Sequence, residues 1–98
     1  MTFECHITVQ CLMHRIDFLR SYIETYGWSF SRIAGDPLLG DFIFCYATNH
    51  FDKETDAHKH TMMVSEYLIK EGFDVRRRKI EKVVLDQRLQ KGIWNTIV

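Results

Sequence analysis

The chain has no excess of either charge. Among its 98 residues, 13 Lys and Arg balance 13 Asp and Glu, so the formal net charge is zero at neutral pH. A protein without a net field has no global attraction to nucleic acid or to an anionic membrane. The composition therefore favours neither partner. The one local excess lies in residues 74–82, DVRRRKIEK, with five positive and two negative side chains.

Paired cysteine spacings are also missing. The three cysteines, Cys5, Cys11 and Cys45, are an odd number and form neither a disulfide framework nor a zinc-site pattern. No N-terminal apolar run resembles a signal peptide, and no apolar stretch approaches the roughly 20 residues that cross a bilayer. We therefore expect a reduced cytoplasmic protein with no membrane segment.

The low hydrophobicity and high charge of disordered chains are absent as well. Apolar residues make up 46% of the chain and charged residues 27%, which is ordinary for globular proteins. The length fits one domain with one hydrophobic core. We assign residues 1–86 to a single domain and residues 87–98 to a C-terminal tail, whose apolar residues show no clear period.

Hydrophobic periodicity predicts four strands and two helices. Residues 2–10 alternate strictly, whereas residues 11–26 have apolar positions at helical spacing and end at Gly27. A second helical stripe follows a polar loop at 49–55 and ends at Gly72. The remaining strands are predicted at 28–34, 42–48 and 73–86, with a turn at 35–41 and a β-bulge between Arg76 and Arg78.

This β-α-β-β-α-β order predicts an α+β ferredoxin-like sandwich, in which a four-stranded antiparallel sheet carries two helices on one face. In that arrangement the first and third strands are central, and the fourth lies beside the first. The apolar positions of FECHITV, residues 3–9, must then face the helices. Glu4, His6 and Thr8 are therefore expected on the side of the sheet without helices.

Polar side chains of the fourth strand are expected on the same open side. If Ile80 faces the helices, Lys79 and Glu81 face away from them, and one of Arg76, Arg77 and Arg78 joins them. Such a surface can bind a phosphate or carboxylate, or it can be a solvated face of cross-strand salt bridges. Our predicted ligand-binding residues are Glu4, His6, Thr8, Arg76, Arg78, Lys79 and Glu81.

Two functions are compatible with this surface. The first is a small binding domain whose open face takes an anionic ligand, such as a nucleotide, or a protein partner. The second is an enzyme of phosphoester or nucleotide chemistry, with His6 as catalytic general acid or base. Replacing His6 by Ala should weaken binding modestly under the first hypothesis and abolish turnover under the second.

The segment His6-Ile7-Thr8-Val9 resembles the His-x-Thr motif of the two-histidine phosphoesterases. That resemblance implies a second copy of the motif on a strand of the symmetry-related half. The nearest pattern, His60-Thr61-Met62, departs from the spacing and falls in the second predicted helix. One chain therefore lacks the second motif, although a homodimer could bring two copies of His6 together.

Metal, cofactor and RNA sites are not predicted. His58 and His60 are two positions apart on a helix and point to different sides, and Cys11-Leu12-Met13-His14 is an equally incomplete ligand pattern. The open face of the first strand has no aromatic residue, and the RNP1 pattern of sheet-surface RNA binders is absent.

The third strand could present either Phe42, Phe44 and Tyr46 or Ile43 and Cys45 on the open side. Either choice leaves an apolar strip, which suggests a homodimer or cover by the tail.

Two longer motifs, FECHIT near the start and GFDVRRRKIEKVVLD near the end, are similar to those of a family of small uncharacterised domains. Members share Phe-Glu-Cys-His-Ile-Thr early and Gly-Phe-x-Val-x-Arg-x-Lys-Ile-Glu late. The resemblance implies no activity, and the ankyrin label that some members carry does not fit, because a period of about 33 residues is absent. The shared residues are those that strand geometry places on the open face.

Overall fold

The described residues of the protein form an α+β domain with five strands and two helices. The computed structural model describes residues 2–32, 42–86 and 91–96. Within them the elements are β1 (Thr2–Leu12), a 3₁₀ turn (Met13–Arg15), α1 (Ile16–Thr25), β2 (Ser29–Arg32), β3 (Phe42–Phe51), α2 (Glu54–Lys70), β4 (Asp74–Asp86) and β5 (Lys91–Thr96). The predicted α+β class is confirmed, and so is the predicted order β1-α1-β2-β3-α2-β4.

All neighbouring strands pair antiparallel, in the order β2-β3-β1-β4-β5. The four predicted strands thus form a continuous open sheet with β1 and β3 inside, an arrangement compatible with the predicted sandwich. The fifth strand lies in the segment for which the sequence predicted no structure. It pairs only with the second half of β4, from Glu81 to Asp86. No helix in the described part of the chain is long and apolar enough to span a membrane.

The core lies between one face of the sheet and both helices. The odd-numbered residues of β1 from Phe3 to Cys11 are at most 5% exposed. They form one cluster with Leu19 and Ile23 of α1 and with Val64 and Leu68 of α2. Both helices therefore cover the same face, because the strict alternation of residues 3–11 puts the buried odd-numbered side chains on that side. We call the opposite side of the sheet the open face.

The first helix begins later than the sequence predicts. Cys11 and Leu12 continue β1 and pair with Ile43 and Phe42, because the alternation of buried positions runs through Cys11. The helical stripe starts only at Ile16. The helix ends as predicted at Gly27, whose φ of 81° suits glycine. Strand β2 begins at Ser29, one residue later than predicted, and residues 33–41, with the predicted end of this strand and the predicted turn, lie outside the described residues.

The predicted bulge is present and falls at Arg76. On β1, Thr8 pairs with Arg77 and Val9 pairs with Val75, so Arg76 is the extra residue between them. Strand β3 is longer than predicted and continues to Phe51 through Asn49 and His50, which the sequence placed in a loop. Both features decide which side chains reach the open face.

Candidate functional site

Three rows of side chains cross the open face from β3 over β1 to β4. Residues paired across antiparallel strands point to the same side of the sheet. Because Glu4, His6 and Thr8 alternate with buried residues, their partners share the open face. The rows are His50–Glu4–Glu81, Thr48–His6–Lys79 and Tyr46–Thr8–Arg77.

In the first two rows, the carboxylate of Glu4 accepts hydrogen bonds from the imidazoles of His6 and His50. Oε1 of Glu4 lies 2.8 Å from Nε2 of His6, and Oε2 lies 2.7 Å from Nε2 of His50. The Glu4 side chain is only 19% exposed. A carboxylate only accepts hydrogen bonds, so each imidazole donates its Nε2–H. We call Glu4, His6, His50 and Thr48 the histidine cluster.

Thr48 completes the cluster from β3. Its Oγ1 lies 3.2 Å from Nδ1 of His6. Because Nε2–H of His6 is donated to Glu4, Nδ1 of the neutral ring accepts the hydroxyl proton of Thr48. Both ring nitrogens of His6 are thus engaged. His50 is 58% exposed and uses Nε2 for Glu4, so its Nδ1 is the imidazole nitrogen that remains available to a ligand.

Lys79 and Glu81 form an ion pair on β4. Both side chains are largely covered, with 29% and 13% exposed. They lie on the opposite side of β1 from Thr48 and His50. Glu81 stands opposite Glu4, and like charges in that position repel. Lys79 compensates the charge of Glu81, and the two imidazole N–H groups hydrogen-bond Glu4. Both carboxylates therefore have their partners within these two rows.

The three consecutive arginines have different environments. Arg77 stands opposite Thr8 on the open face. Arg78 stands opposite Ile7, which is fully buried under the helices, and its Nη1 contacts Sδ of Met62 on α2 at 2.9 Å. The predicted site residue Arg78 therefore lies on the helix side, and Arg77 takes its place, because the bulge shifts the phase of the strand.

Arg76 and Arg78 lie outside these rows. Nη1 of Arg76, the bulge residue, pairs with Oδ2 of Asp74 at 3.3 Å. A cleft of about 320 Å³ lies between this part of β4 and α2, and all three arginines line it together with Met62 and His58. Arg77 therefore borders this cleft as well as the open face. Of the predicted site residues, the structure thus brings together Glu4, His6, Thr8, Lys79 and Glu81.

Three of the four aromatic residues of β3 lie on the open face, whereas Phe51 packs against the core on the helix side. Ile43, Cys45 and Ala47 are at most 7% exposed and face the helices, so Phe42, Phe44 and Tyr46 point the other way. Phe42 is 38% exposed and stands opposite Leu12, while Phe44 stands opposite Gln10. Of the two orientations that the sequence left open, this is the one that the chain adopts. We call these three residues the aromatic strip.

Sequence reasoning missed His50 and Thr48 as partners of the site. The composition of residues 49–55 is typical of a loop, which concealed that β3 continues to Phe51. The alternation Tyr46, Thr48, His50 is the signal that could have found them. In the other histidine-rich segment, His58 lies 3.6 Å from Glu54, and His60 stacks on Phe51.

No group of three or more His, Cys, Asp and Glu residues suited to a metal ion occurs among the described residues. The three thiols are buried and free. Burial raises the pKa of Cys5, Cys11 and Cys45, and for Cys45, with Cys11 nearby, the pKa rises to about 11. Protonated, inaccessible thiols are poor nucleophiles. The chemistry of the site therefore rests on imidazole, hydroxyl, carboxylate and cationic groups.

Comparison with known proteins found no matching protein family, no matching curated protein and no matching solved structure. The similarity of the FECHIT and GFDVRRRKIEKVVLD motifs to a family of small domains thus stays a hypothesis.

Proposed function

We propose that the domain binds a phosphate-containing anionic ligand on its open face, at the row formed by Tyr46, Thr8 and Arg77. This row supplies a phenol, a hydroxyl and a guanidinium side by side on three neighbouring strands. Guanidinium and hydroxyl groups are the donors that proteins use for phosphate. That juxtaposition is the observation that carries the proposal.

The charge distribution supports this row over its neighbours. Glu81 pairs with Lys79, and Glu4 pairs with two imidazoles. Arg77 is exposed, and within the described residues it has no acidic partner, unlike Arg76. An anion beside Thr8 would meet an uncompensated guanidinium, with Lys79 next to it on β4. The histidine cluster then borders the ligand through Thr48 and His6, which occupy the next row.

A titration with two matched variants tests this function. Phosphate and pyrophosphate added to the ¹⁵N-labelled chain should give saturable shifts at residues 4–8 and 76–81. Arg77→Gln should weaken binding about tenfold or more, as expected for loss of a hydrogen bond to a charged group. Arg78→Gln removes the same charge from the helix side and should leave the affinity unchanged. Equal losses in both variants, or no saturable shifts, would refute the proposal.

A second candidate function is phosphodiester hydrolysis. The observation that favours it is the pair of imidazoles on one carboxylate, because such chemistry uses one general base and one general acid. Strand β3 supplies Thr48-Asn49-His50 in the reverse order of His-x-Thr, as an antiparallel neighbour can. The second imidazole therefore comes from the same chain rather than from a second copy of His6.

Hydrolysis of bis(p-nitrophenyl) phosphate separates the two functions. If the domain is an enzyme, His6→Ala and His50→Ala should each abolish turnover while ligand binding persists. If it is a binding domain, neither the parent nor the variants should turn over, and His6→Ala should weaken pyrophosphate binding only modestly. Turnover that survives both substitutions would exclude these imidazoles from catalysis.

We further propose that the fold is the ferredoxin-like sandwich. The order β2-β3-β1-β4 and the position of both helices on one face support it. A cytoplasmic location and a homodimer also stay proposals. Light scattering of the purified chain tests the second of these.

A further inference from the structure

We infer that the anion bound at the open face is the phosphate of a nucleotide, whose base stacks on the aromatic strip. The inference rests on the proposed function and adds the ligand class. It arises from the placement of Phe42, Phe44 and Tyr46, which the sequence alone left undecided.

Strand β3 offers a stacking surface. The three residues of the aromatic strip follow one another on the open face, at alternate positions of a central strand. Aromatic side chains on an open sheet bind bases by stacking, and every base has a face that can stack. The first strand has no such residue, so the stacking surface is one strand wide.

Cations run parallel to this surface on the other side of β1. Tyr46 and Arg77 both pair with Thr8, and Lys79 follows Arg77 at the next position on the same face. Neighbouring strands lie about 4.8 Å apart, so β3 and β4 are roughly 10 Å apart. A nucleotide lying across β1 can therefore place its base on β3 and extend its phosphate toward β4.

Polar residues line both sides of the aromatic strip. Gln10 pairs with Phe44 on β1, and Ser31 pairs with Tyr46 on β2. An amide carries both donors and an acceptor, and it can therefore pair with the polar edge of a base. Stacking surface, edge partner and phosphate partner occur together across three adjacent strands.

A second copy of the chain is the competing occupant of this strip. The cores of protein–protein interfaces are depleted in charged residues. Here the strip is one strand wide, and Arg77, Lys79 and Glu81 stand only two strands away. That mixture fits a ligand that is aromatic at one end and anionic at the other. The chain has no net positive charge to attract a long nucleic acid, which fits a ligand that contacts it through few phosphates.

Binding of AMP and of a six-nucleotide single-stranded RNA, measured by calorimetry on the full chain, tests the inference against pyrophosphate as the ligand without a base. We expect both nucleotides to bind more tightly than pyrophosphate. Phe44→Leu should weaken nucleotide binding about fivefold or more, as loss of a stacking contact does, and leave pyrophosphate binding unchanged. Phe18→Leu, at an exposed aromatic of α1, is the matched control and should change neither.

A second variant, Tyr46→Leu, guards against a folding defect in Phe44→Leu, and thermal melts check both.

If Lys79 and Arg77 both contact phosphate, the logarithm of the association constant for RNA should fall with the logarithm of the salt concentration at a slope of about −1.4. Tighter binding of the hexamer than of AMP would identify single-stranded nucleic acid as the source of the nucleotide, and equal affinities would identify the free mononucleotide.

Three results overturn the inference, and they differ in whether the proposed function survives. If pyrophosphate binds through Arg77 but nucleotides bind no more tightly and Phe44→Leu has no effect, the stacking inference is wrong and the proposed function stands. If no phosphate compound binds, both are wrong. A stable dimer that Phe44→Leu dissociates, together with absent nucleotide binding, would assign the strip to a second copy.

Discussion

Glu4 and Glu81 stand directly opposite each other on β1 and β4. Two like charges at such positions destabilise a sheet, so their partners decide whether the pair is tolerated. Glu4 lies against His6 and His50, and Glu81 lies against Lys79. The open face is therefore a charge-compensated network, and removing one partner should expose the repulsion.

Lys79→Gln should destabilise the fold by about 1 kcal/mol, because Glu81 then faces Glu4 without its cation. The double variant Lys79→Gln with Glu81→Gln should recover most of the loss, since it removes the repulsion as well. Urea unfolding of the parent, both single variants and the double variant measures this coupling. If the loss of stability in the double variant equals the sum of the two single losses, Lys79 and Glu81 do not interact.

Glu4→Gln should cost about 1.5 kcal/mol of stability, because the NH2 group that replaces one carboxylate oxygen is a donor and cannot accept the Nε2–H of the second imidazole. In the parent, ¹⁵N spectra of the ring nitrogens should show neutral His6 as its Nε2–H tautomer. Glu54→Gln breaks the exposed pair with His58 on α2 and should change stability by less than about 0.5 kcal/mol. An Nδ1–H tautomer for His6 would contradict the assigned hydrogen bonds.

Stability should fall in alkaline solution because of the buried thiol of Cys45. Burial raises its pKa from 9.0 to about 11, so between these values the unfolded chain has lost the proton that the folded chain retains. The free energy of unfolding therefore decreases across this window and does not change below it through this group. In Cys45→Ala, urea unfolding between pH 8.5 and 10.5 should show a shallower decrease. An unchanged slope would assign the alkaline sensitivity to other groups.

Arg15→Lys should destabilise the contact between the start of α1 and the end of α2 by about 1 kcal/mol. The guanidinium donates to the carbonyl oxygens of Glu71 and Gly72 at 3.0 and 3.4 Å, and it lies 4.1 Å from the ring centre of Phe73. Lysine cannot reproduce this planar arrangement. Arg20→Lys, which affects only the stacking on Phe30, is the control and should cost less in thermal unfolding. Equal losses would mean that the two carbonyl contacts contribute little.

Patterning within single elements was sufficient to predict much of this molecule. The alternation of FECHITV identified the buried face of β1, and with it Glu4, His6 and Thr8, because the side-chain period of a strand follows from its backbone. The helical stripes likewise identified the faces of α1 and α2.

What the sequence could not predict depends on pairing between strands. The place of the bulge, and hence the exchange of Arg78 for Arg77, follows from the register of β4 against β1. The same holds for His50, which belongs to the site because β3 extends opposite Glu4. Strand β5 shows no period, and its pairing with β4 is a tertiary effect.

The bulge at Arg76 also bears on self-association. Strand β5 covers β4 only from Glu81 onward, so residues 74–80 of β4 form a sheet edge within the described part of the chain. Regular edges of this kind invite a strand from another molecule and lead to aggregation. An irregular backbone and a cluster of guanidinium groups oppose such addition. Arg76, the bulge residue, therefore helps to protect this edge from strand addition.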